Sequence, residues 1–468
     1  MATPTSNFLG VTNIDPTLLG YGRFVGDGEK WGGGLGTGVV LTYSFPDLGF
    51  WAPANYGTEN PFEYTSMRAF TPAEQAAATA ALNTWAHFAN IQFQLIADEQ
   101  FSVGELRFAD SFTLTNTESA HAYFPSTNPA AGDAWFNPNN EFNSDGGAVP
   151  AGTFDFQTLL HEIGHALGLK HTFNESGNGG GNVMPANQDN YFYSIMSYTA
   201  SPWSAHGDHF ATFFPTTPMY ADLVAIEVMY GRATFHPGND TYTFLDGQKY
   251  WQAINDTGGV DTIRYVGSEA VTIDLIQGHF SSLSEAIQFH RPDNSLVSSK
   301  FTVTIGPFVV IENATGDRGN DILLGNAANN VLTGGLGNDT LRGDAGRDVL
   351  RGGPGNDKLF GGADGDVFQF NTAPNSATSH DTVFDYNVSQ DTIQIENNVF
   401  QRLVHAGALP SAFFRPGSHA LDANDFLIYN RANGFLFYDD NGSLPGHQVL
   451  IAAFANKPAL NFHEFVVI

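Results

Sequence analysis

Cysteine, basic residues and long apolar runs are all scarce in this sequence of 468 residues. Because it has no cysteine, the chain can form no disulfide and no thiolate metal site, and it cannot use a cysteine nucleophile. Only 19 lysines and arginines accompany 48 aspartates and glutamates, which gives a formal net charge of −29. A sequence-independent nucleic-acid binder needs a basic face, and an anionic membrane surface attracts one, so the charge disfavours both functions.

No apolar run approaches the roughly 18 residues of a transmembrane helix. Residues 1–10 show neither the basic nor the apolar segment of a cleavable signal peptide. Alone, these two features predict a cytoplasmic protein, an expectation that the repeats described below reverse. Residues 1–37 are rich in glycine, and we interpret them as a leader, with a short propeptide as a candidate role.

Helix and strand patterns alternate between residues 38 and 232. Thr71-Pro72-Ala73-Glu74 combines an N-cap, a proline at the first helical position and a capping-box glutamate, which predicts a helix reaching about Phe88. Further helices are predicted around Leu159–Leu169 and at Tyr220–Tyr230. The predicted strands are Val39–Phe45, Ile91–Leu95, Leu106–Ala109 and Ala120–Phe124.

The composition changes after Gly231, where short β-type runs separated by glycine, asparagine and aspartate replace the helical patterns. We therefore predict a domain boundary at residues 231–236, with one domain at 38–232 and a second at 233–468. Helices mixed with strands in the first domain and strands alone in the second make the predicted fold class α+β.

From Gly316 to Gln369 the sequence repeats every nine residues, six times, with glycine at position 1 and an apolar residue at position 8. Position 6 is aspartate except in the second repeat, which has Asn330. The first six residues predict a tight turn and the last three a short strand, so two repeats form one coil of a parallel β-roll. Aspartates and glycine carbonyls of stacked turns then form an oxygen cage suited to Ca²⁺. A flexible linker, the alternative interpretation, would not require the apolar position.

An HExxH motif occupies residues 161–165 and continues to a third histidine, His171. His161 and His165 are four residues apart on a predicted helix, so both imidazoles project from one face. Glu162 lies beside them and can act as general base for a zinc-activated water. Gly168 allows the chain to turn back toward the metal. Three nitrogens and one open position are typical of catalytic zinc, whereas ordinary surface histidines would not require this spacing.

The segment Ser194-Ile195-Met196-Ser197-Tyr198 lies downstream of the histidines. A methionine beside isoleucine is by itself more often ordinary core, but after the extended zinc motif we interpret Met196 as an apolar floor beneath the three histidines. Tyr198 follows two residues later and can reach the metal or a substrate oxyanion.

The zinc motif with its Met-turn resembles the metzincins. Its combination with RTX nonapeptides of the form GGxGxDxUx resembles the serralysins, which are secreted bacterial zinc metalloproteases. The segments at 72–93, 132–137 and 221–231 also resemble family segments. The resemblance implies a metzincin-type protease domain, built from a twisted sheet and long helices, followed by an all-β domain containing a parallel β-roll or β-sandwich.

For the active site, the resemblance implies one zinc ion held by His161, His165 and His171, with Glu162 as the general base. It makes Tyr198 a displaceable fifth zinc ligand that stabilises the oxyanion once substrate binds. The strand predicted around residues 120–124 corresponds to the cleft edge, where an extended peptide adds as a further strand. The residues assigned to this edge are Ala120, Ala122 and Tyr123.

Several structural calcium ions are implied as well. Outside the repeats, the ligands that the resemblance assigns are Asp240, Thr241, Asp256, Gly258, Asp261 and Glu312. Within the repeats, the assigned ligands are Gly319, Asp321, Gly335, Gly337, Asp339, Gly346, Asp348, Gly353, Gly355, Asp357, Asp364 and Asp366.

The expected partners are protein or peptide substrates, a type I exporter and a small proteinaceous inhibitor, with no nucleic acid and no membrane insertion. The resemblance implies a monomer secreted from a bacterium. An acidic residue followed by apolar ones at Glu464–Ile468 resembles the uncleaved signal that type I exporters read. That signal would account for the missing N-terminal one.

Two other functions are alternatives: a calcium-dependent adhesion protein with a vestigial metal domain, and a zinc enzyme acting on a non-peptide amide. The complete set of metal ligands and base argues against the first, and the Met-turn with an edge strand favours an extended peptide over the second. The predicted function is therefore a secreted zinc endopeptidase of broad specificity whose folding depends on calcium.

Overall fold

The structure, a computed structural model, describes residues 30–47, 63–99, 102–115, 117–140, 142–143, 147–173, 183–444 and 446–468. Most of the predicted leader, residues 1–29, lies outside this part of the chain. Two compact units are present. The first holds the chain up to Pro237 together with Lys249–Thr257 and Ser284–Val309, and the second holds Gly238–Gln248, Gly258–Leu283 and Val310–Ile468.

The described helices are α1 (Pro72–Phe88), α2 (Phe154–Ala166) and α3 (Tyr220–Tyr230), with 3-10 helices at Glu63–Ser66, Ser411–Phe413 and Phe462–Glu464. The described strands are β1 (Val39–Ser44), β2 (Met67–Ala69), β3 (Ile91–Leu95), β4 (Leu106–Ser111), β5 (Ala120–Ala122), β6 (Asp133–Phe136), β7 (Thr241–Leu245), β8 (Gln252–Ile254), β9 (Thr262–Val266), β10 (Thr272–Asp274), β11 (Phe280–Ser281), β12 (Ile287–His290), β13 (Leu296–Ser299), β14 (Val303–Ile305), β15 (Asn313–Thr315), β16 (Ile322–Leu324), β17 (Val331–Thr333), β18 (Thr340–Ala345), β19 (Val349–Arg351), β20 (Lys358–Ala363), β21 (Val367–Phe370), β22 (Asp381–Val383), β23 (Thr392–Ile395), β24 (Gly407–Ala408), β25 (Phe414–Pro416), β26 (Leu427–Asn430), β27 (Phe435–Asp439), β28 (Gln448–Phe454) and β29 (Phe465–Val467).

A mixed sheet forms the framework of the first unit, with strand order β3-β1-β4-β6-β5 and with β2 beside β4. Strands β3, β1, β4 and β6 run parallel, whereas β5 pairs antiparallel with β6 at the end of the sheet. Strands β8 and β14 pair parallel, and β12 with β13 forms an antiparallel hairpin. Helices combined with this sheet confirm the predicted α+β class.

Helix α1 begins where its capping sequence predicts. The Thr71 hydroxyl accepts a hydrogen bond from the Glu74 amide at 3.3 Å, and the Glu74 carboxylate accepts one from the Thr71 amide at 2.6 Å. Trp85 is fully buried on the inner face of the helix, and its Nε1 donates to the carbonyl of Leu160 at 3.1 Å. This bond ties α1 to α2, the helix that carries the HExxH motif.

The second unit is built from two nine-stranded sheets, ordered β10-β16-β18-β20-β22-β28-β27-β26-β25 and β24-β29-β23-β21-β19-β17-β15-β9-β7. Successive repeats alternate between the sheets, and strands 18 residues apart pair in parallel, as in Ile322 with Thr340 and Val331 with Val349. The predicted coil of two nonapeptides is therefore confirmed. The side chains at position 8 are fully buried between the sheets, and these are Leu323, Leu332, Leu341, Leu350, Leu359 and Phe368.

Among the described residues, no helix is both long enough and apolar enough to cross a membrane.

The buried ladder of position-8 leucines predicts a stability difference between two leucines of one repeat. Leu341 is 0% exposed and Leu336 is 49% exposed. We expect Leu341→Ala to lower the free energy of unfolding by about 2–5 kcal/mol, because it removes buried methyl groups and leaves a cavity. Leu336→Ala, the matched control, should change it by less than about 0.5 kcal/mol. Urea unfolding in saturating calcium measures both, and equal effects would contradict the β-roll core.

Candidate metal centres

Helix α2 brings the HExxH motif to the centre of the first unit. It begins at Phe154, where the Thr153 hydroxyl accepts a hydrogen bond from the Phe156 amide at 3.2 Å, and it ends at Ala166. It therefore starts and stops earlier than the predicted segment 159–169. Gly168 then adopts a φ of +111°, a conformation that L side chains rarely adopt, and so it turns the chain back toward the helix.

This turn brings three imidazoles together. Nε2 of His171 lies 3.0 Å from Nε2 of His161 and 3.0 Å from Nε2 of His165. One ligand atom from each histidine lies within 4.8 Å of the other two. The structure thus assembles the predicted ligand set from a helix and the loop that follows it.

Backbone carbonyls fix the orientation of two of these rings. Nδ1 of His161 donates to the carbonyl of Ile195 at 2.7 Å, and Nδ1 of His165 donates to the carbonyl of Leu169 at 2.6 Å. A carbonyl accepts only, so each Nδ1 carries the proton and each Nε2 keeps its lone pair for a metal. Burial, together with the neighbouring His171 and His161, holds the pKa of His165 well below its usual range, so this imidazole is neutral. This donor set fits Zn²⁺.

Glu162 lies on the same helix and is buried. Its Oε2 has no hydrogen-bond partner among the described residues, although it is inaccessible to solvent. Burial raises the pKa of this carboxyl to about 8, and the positive charge of His121 opposes that rise. A buried carboxylate oxygen without a protein partner is suited to hold a water or a proton next to a metal.

Met196 is fully buried, in a turn formed by residues 195–196. Its Sδ would lie 2.7 Å from a Cβ placed on Gly164, which is the residue before His165. No side chain larger than hydrogen fits at Gly164 without moving the methionine. The sulfur therefore lies directly against helix α2, and the role of Met196 as a floor beneath the three histidines stays a prediction.

Tyr198 stands at the exposed side of the three histidines. Its ring centroid is 4.6 Å from that of His171 and 5.6 Å from that of His161, and 44% of the residue is exposed. Phe173 stacks on His171 at 5.0 Å and contacts Tyr198 at 4.9 Å. The tyrosine thus borders the ligand cluster from the solvent side.

Asp222 on α3 is a functional residue that the sequence analysis missed. Its carboxylate accepts hydrogen bonds from the Ser194 hydroxyl at 2.6 Å, the Ile195 amide at 2.8 Å and the Met219 amide at 2.9 Å. Burial raises the pKa of Asp222 to about 7, and these hydrogen bonds oppose the rise. The carboxylate thus anchors the turn that carries Met196 and whose Ile195 carbonyl orients His161. An aspartate inside an apolar helix was the available signal.

Strand β5 lies at the end of the sheet next to α2. The amide of Tyr123 donates to the carbonyl of Asp133 at 2.9 Å, and the amide of Asn137 donates to the carbonyl of Ser119 at 2.8 Å. Because backbone groups alternate along a strand, the amides and carbonyls of Ala120 and Ala122 point away from β6. The sequence analysis assigned these two residues and Tyr123 to the cleft edge, but the backbone amide and carbonyl of Tyr123 bond to the neighbouring segment at Asp133 and Gly132.

In the second unit, the position-6 aspartates form two ladders that run from coil to coil. On one side, the Asp321 amide donates to Asp339 Oδ1 at 2.7 Å, and the Asp339 amide donates to Asp357 Oδ1 at 2.8 Å. On the other side, the Asp348 amide donates to Asp366 Oδ1 at 3.0 Å. Asn330 also takes part, since its amide donates to Asp348 Oδ1 at 2.7 Å.

The second carboxylate oxygen of these side chains points into the turns. Buried Oδ2 atoms with no partner in the described part of the chain belong to Asp339, Asp348, Asp357 and Asp366. A side chain at Gly334 would collide with Asp339 Oδ2 and with the carbonyl oxygen of Gly352. Burial raises the pKa of Asp339 to about 7. Converging carboxylate and carbonyl oxygens without donors fit Ca²⁺.

The assigned glycines lie in the same turns. Gly335, Gly337, Gly346 and Gly353 have positive φ, and the carbonyls of Gly319, Gly335 and Gly337 face the glycines of the next coil, among them Gly355. Asp364 is exposed, with φ of +72°.

Asp381 and Asp391 extend the ladders beyond the repeats and were missed in the sequence. The Asp357 amide donates to Asp381 Oδ1 at 3.2 Å, and the Asp366 amide donates to Asp391 Oδ1 at 3.0 Å. These partners lie 24 and 25 residues apart rather than 18, so a nine-residue period cannot find them. The short apolar strand after each aspartate was the only signal.

The calcium ligands assigned outside the repeats fall in both units. The Asp240 amide donates to Asp261 Oδ1 at 2.7 Å, and the Asp261 amide donates to Glu312 Oε2 at 2.7 Å, all within the second unit. Thr241 begins β7 in the same unit, and Gly258 has φ of +145°. Asp256 lies in the first unit.

The fold and these sites define an α+β protein with a three-histidine metal centre and a calcium-binding β-roll. A family model described as Matrixin matches residues 62–178. A model described as RTX calcium-binding nonapeptide repeat matches residues 311–341 and 333–368. The Matrixin match covers the three histidines, and the repeat matches cover the position-6 residues of the ladders from Asp321 to Asp366.

The chain is also similar in sequence to several curated proteins. The chain is 32% identical to Serralysin B of Dickeya chrysanthemi over 62% of this chain and 59% of that protein. It is 30% identical to Serralysin of Proteus mirabilis over 64% of this chain and 62% of that protein. It is 30% identical to Metalloprotease AprA of Pseudomonas entomophila over 65% and 63%. The chain spans about three-fifths of the length of these relatives.

These matches confirm the resemblance to the serralysins within the metzincins. The expected cofactors are confirmed with it, namely a catalytic zinc at the group of His161, His165 and His171 and several structural calcium ions in the repeats.

The anchoring role of Asp222 predicts that Asp222→Asn weakens the zinc centre. The amide group can no longer accept all three hydrogen bonds and presents a donor to a backbone amide, which should cost about 1–3 kcal/mol. We expect a lower melting temperature and zinc loss at a lower chelator concentration. Asp293→Asn, at an exposed position of the same unit, is the matched control. Unchanged zinc retention in Asp222→Asn would contradict the proposed anchoring of the Met196 turn by Asp222.

Proposed function

We propose that this protein is a secreted zinc endopeptidase that hydrolyses peptide bonds of extracellular proteins with broad specificity. The observation that carries the proposal is the convergence of three imidazole nitrogens beside Glu162, whose buried Oε2 has no partner in the described part of the chain. The relatives called serralysin support the same activity.

When bound, Zn²⁺ supplies a Lewis acid that polarises the scissile carbonyl and lowers the pKa of a water. In our proposal, Glu162 accepts a proton from the attacking water and returns it to the departing amine. Its burial supports this role, because a carboxyl whose pKa is raised by burial can act as both base and acid near neutral pH.

Tyr198 is a further residue of the proposed active site. Its half-exposed ring beside His171 leaves the hydroxyl able to swing toward a substrate, where it would donate a hydrogen bond to the oxyanion. Met196 and Asp222 would act indirectly, since they hold the turn against which the zinc helix lies.

Strand β5 is the proposed binding edge for the substrate. An extended peptide running beside it would form hydrogen bonds with the outward backbone groups of Ala120 and Ala122, with Tyr123 at the end of this edge. Backbone recognition of this kind depends little on substrate side chains, which supports broad specificity.

Calcium would make the second unit fold outside the cell. Four buried carboxylates in the ladders lack hydrogen-bond donors for one oxygen each, in the residues that the structure describes. Without a cation their mutual repulsion opposes folding, and with Ca²⁺ it is removed. The proposal therefore includes export by a type I system in an unfolded state, followed by folding where calcium is abundant.

The proposed mechanism predicts that Glu162→Gln retains zinc but loses hydrolysis. Removing the general base should lower kcat/KM by about 10²–10⁴-fold. Casein cleavage with and without o-phenanthroline, combined with elemental analysis for zinc, measures both properties. Glu99→Gln, an exposed glutamate of the same unit, should keep wild-type activity. A fully active Glu162→Gln variant would rule out this mechanism.

The ladders predict that calcium removal unfolds the β-roll. A calcium-selective chelator should abolish most of the β-sheet circular dichroism of the second unit, and added calcium should restore it. Asp348→Asn should raise the calcium concentration at the midpoint of refolding by about tenfold, since it removes one ligand charge. Asp293→Asn should leave the midpoint unchanged. A β-roll that keeps its circular dichroism in chelator contradicts the calcium sites.

A further inference from the structure

An imidazole held between two carboxylates lies on the edge strand β5. Nδ1 of His121 is 2.9 Å from Oε1 of Glu118, and Nε2 is 3.2 Å from Oε1 of Glu63. An ionised carboxylate only accepts hydrogen bonds, so both ring nitrogens must carry protons to satisfy this geometry. His121 is therefore an imidazolium ion.

The surroundings of His121 maintain this charge. Burial alone would lower its pKa, but the hydrogen bonds and charges of Glu118 and Glu63 outweigh burial and raise it to about 9. Two further groups face the ring: the Glu162 carboxylate of α2, whose charge acts in the same direction, and the Tyr123 ring at 5.5 Å. The imidazolium persists through the neutral range and is lost as the pH rises through about 9.

Glu63 joins the strand to a separate element. It lies in the 3-10 helix before β2, is only 6% exposed, and accepts a second hydrogen bond from the Tyr123 hydroxyl at 2.8 Å. Two side chains of the edge segment, His121 and Tyr123, therefore end on one buried carboxylate. Glu118 holds the same imidazole from the turn that precedes the strand.

Strand β5 needs side-chain contacts to hold it in place. It is three residues long and pairs only with β6 among the described strands. The backbone groups of Ala120 and Ala122, on either side of His121, point toward the free edge. A short strand paired on one side is mobile unless side chains fix it, and binding to a mobile edge costs ordering entropy.

We propose that Glu63, His121 and Glu118 form an ionic clamp that fixes β5 as a preformed binding edge for extended peptides. His121 is a positioning residue in this clamp. The inference rests on the proposed function and deepens it, because it assigns peptide affinity to the charge of a residue that lies between the two whose backbone groups face the free edge.

The test measures peptide binding without turnover. In the full-length, calcium-loaded and zinc-loaded Glu162→Gln chain, fluorescence anisotropy gives the Kd of a labelled extended peptide with no group that titrates between pH 7 and 10. Adding His121→Gln should raise Kd about 10–100-fold at pH 7, because a charge-assisted pair is lost. His279→Gln is the matched control, since His279 also pairs with a carboxylate, Asp274 Oδ2 at 2.9 Å, in the second unit. It should leave Kd unchanged.

The pH profile separates positioning from general destabilisation. In the Glu162→Gln parent chain Kd should rise at alkaline pH as His121 loses its proton, at a pH below the value of about 9 that holds with the Glu162 charge in place. The His121→Gln chain should show no such rise. If His121→Gln does not fold, Glu118→Gln serves instead, because it keeps the buried pair of His121 and Glu63. It should raise Kd by a smaller factor, about threefold, and shift the rise to lower pH.

Equal Kd values and parallel pH profiles for the parent and His121 variants would overturn the clamp, even if wild-type casein hydrolysis supports the protease. Conversely, a Kd that depends on His121 in a chain whose wild type cleaves no protein would support the clamp and reject the proposed hydrolysis. The experiments can therefore reject the ionic clamp or the proposed hydrolysis without rejecting the other.

Discussion

Both units bring side-chain lone pairs together at points where a cation can bind. In the first unit the lone pairs are imidazole nitrogens, and in the second they are carboxylate oxygens with glycine carbonyls. A metal of matching hardness stabilises each set of ligands when it binds, and the gain is largest where carboxylate oxygens are buried without hydrogen-bond donors in the described residues. Nitrogen ligands suit zinc and oxygen ligands suit calcium, which keeps the two metals apart.

The sequence predicts the parts of this arrangement that local spacing determines. Two histidines four residues apart on a helix must share a face, and a nine-residue period must stack aspartates in register, whatever surrounds them. The zinc ligands, the coil of two repeats and the capping of α1 follow from such spacing, and the structure confirms them. The short strand β5 was also found, although it ends at Ala122 and not at Phe124.

Contacts between distant segments could not be predicted in this way. The Asp222 carboxylate accepts a hydrogen bond from the amide of Ile195, which lies 27 residues earlier in the chain. His121 pairs with Glu63, which lies 58 residues earlier. Nothing in either local sequence marks the partner, because an aspartate in a helix or a histidine in a strand has many possible neighbours. Asp381 and Asp391 were missed for a related reason. Longer connections interrupt the nine-residue period before them, while their strands continue the parallel pairing of the β-roll.

The zinc and calcium centres differ in how far the protein orients the ligands before the metal binds. At the zinc centre, backbone carbonyls hold the protonated Nδ1 atoms of His161 and His165, so the rings are oriented by bonds that do not involve the metal. In the ladders, backbone amides satisfy one oxygen of Asp339, Asp348, Asp357 and Asp366, and the second oxygen of each has no donor among the described residues. Neutral, oriented nitrogens tolerate one another, whereas gathered carboxylates repel. The zinc centre can therefore be preorganised by its own fold, whereas our proposal makes folding of the β-roll depend on calcium.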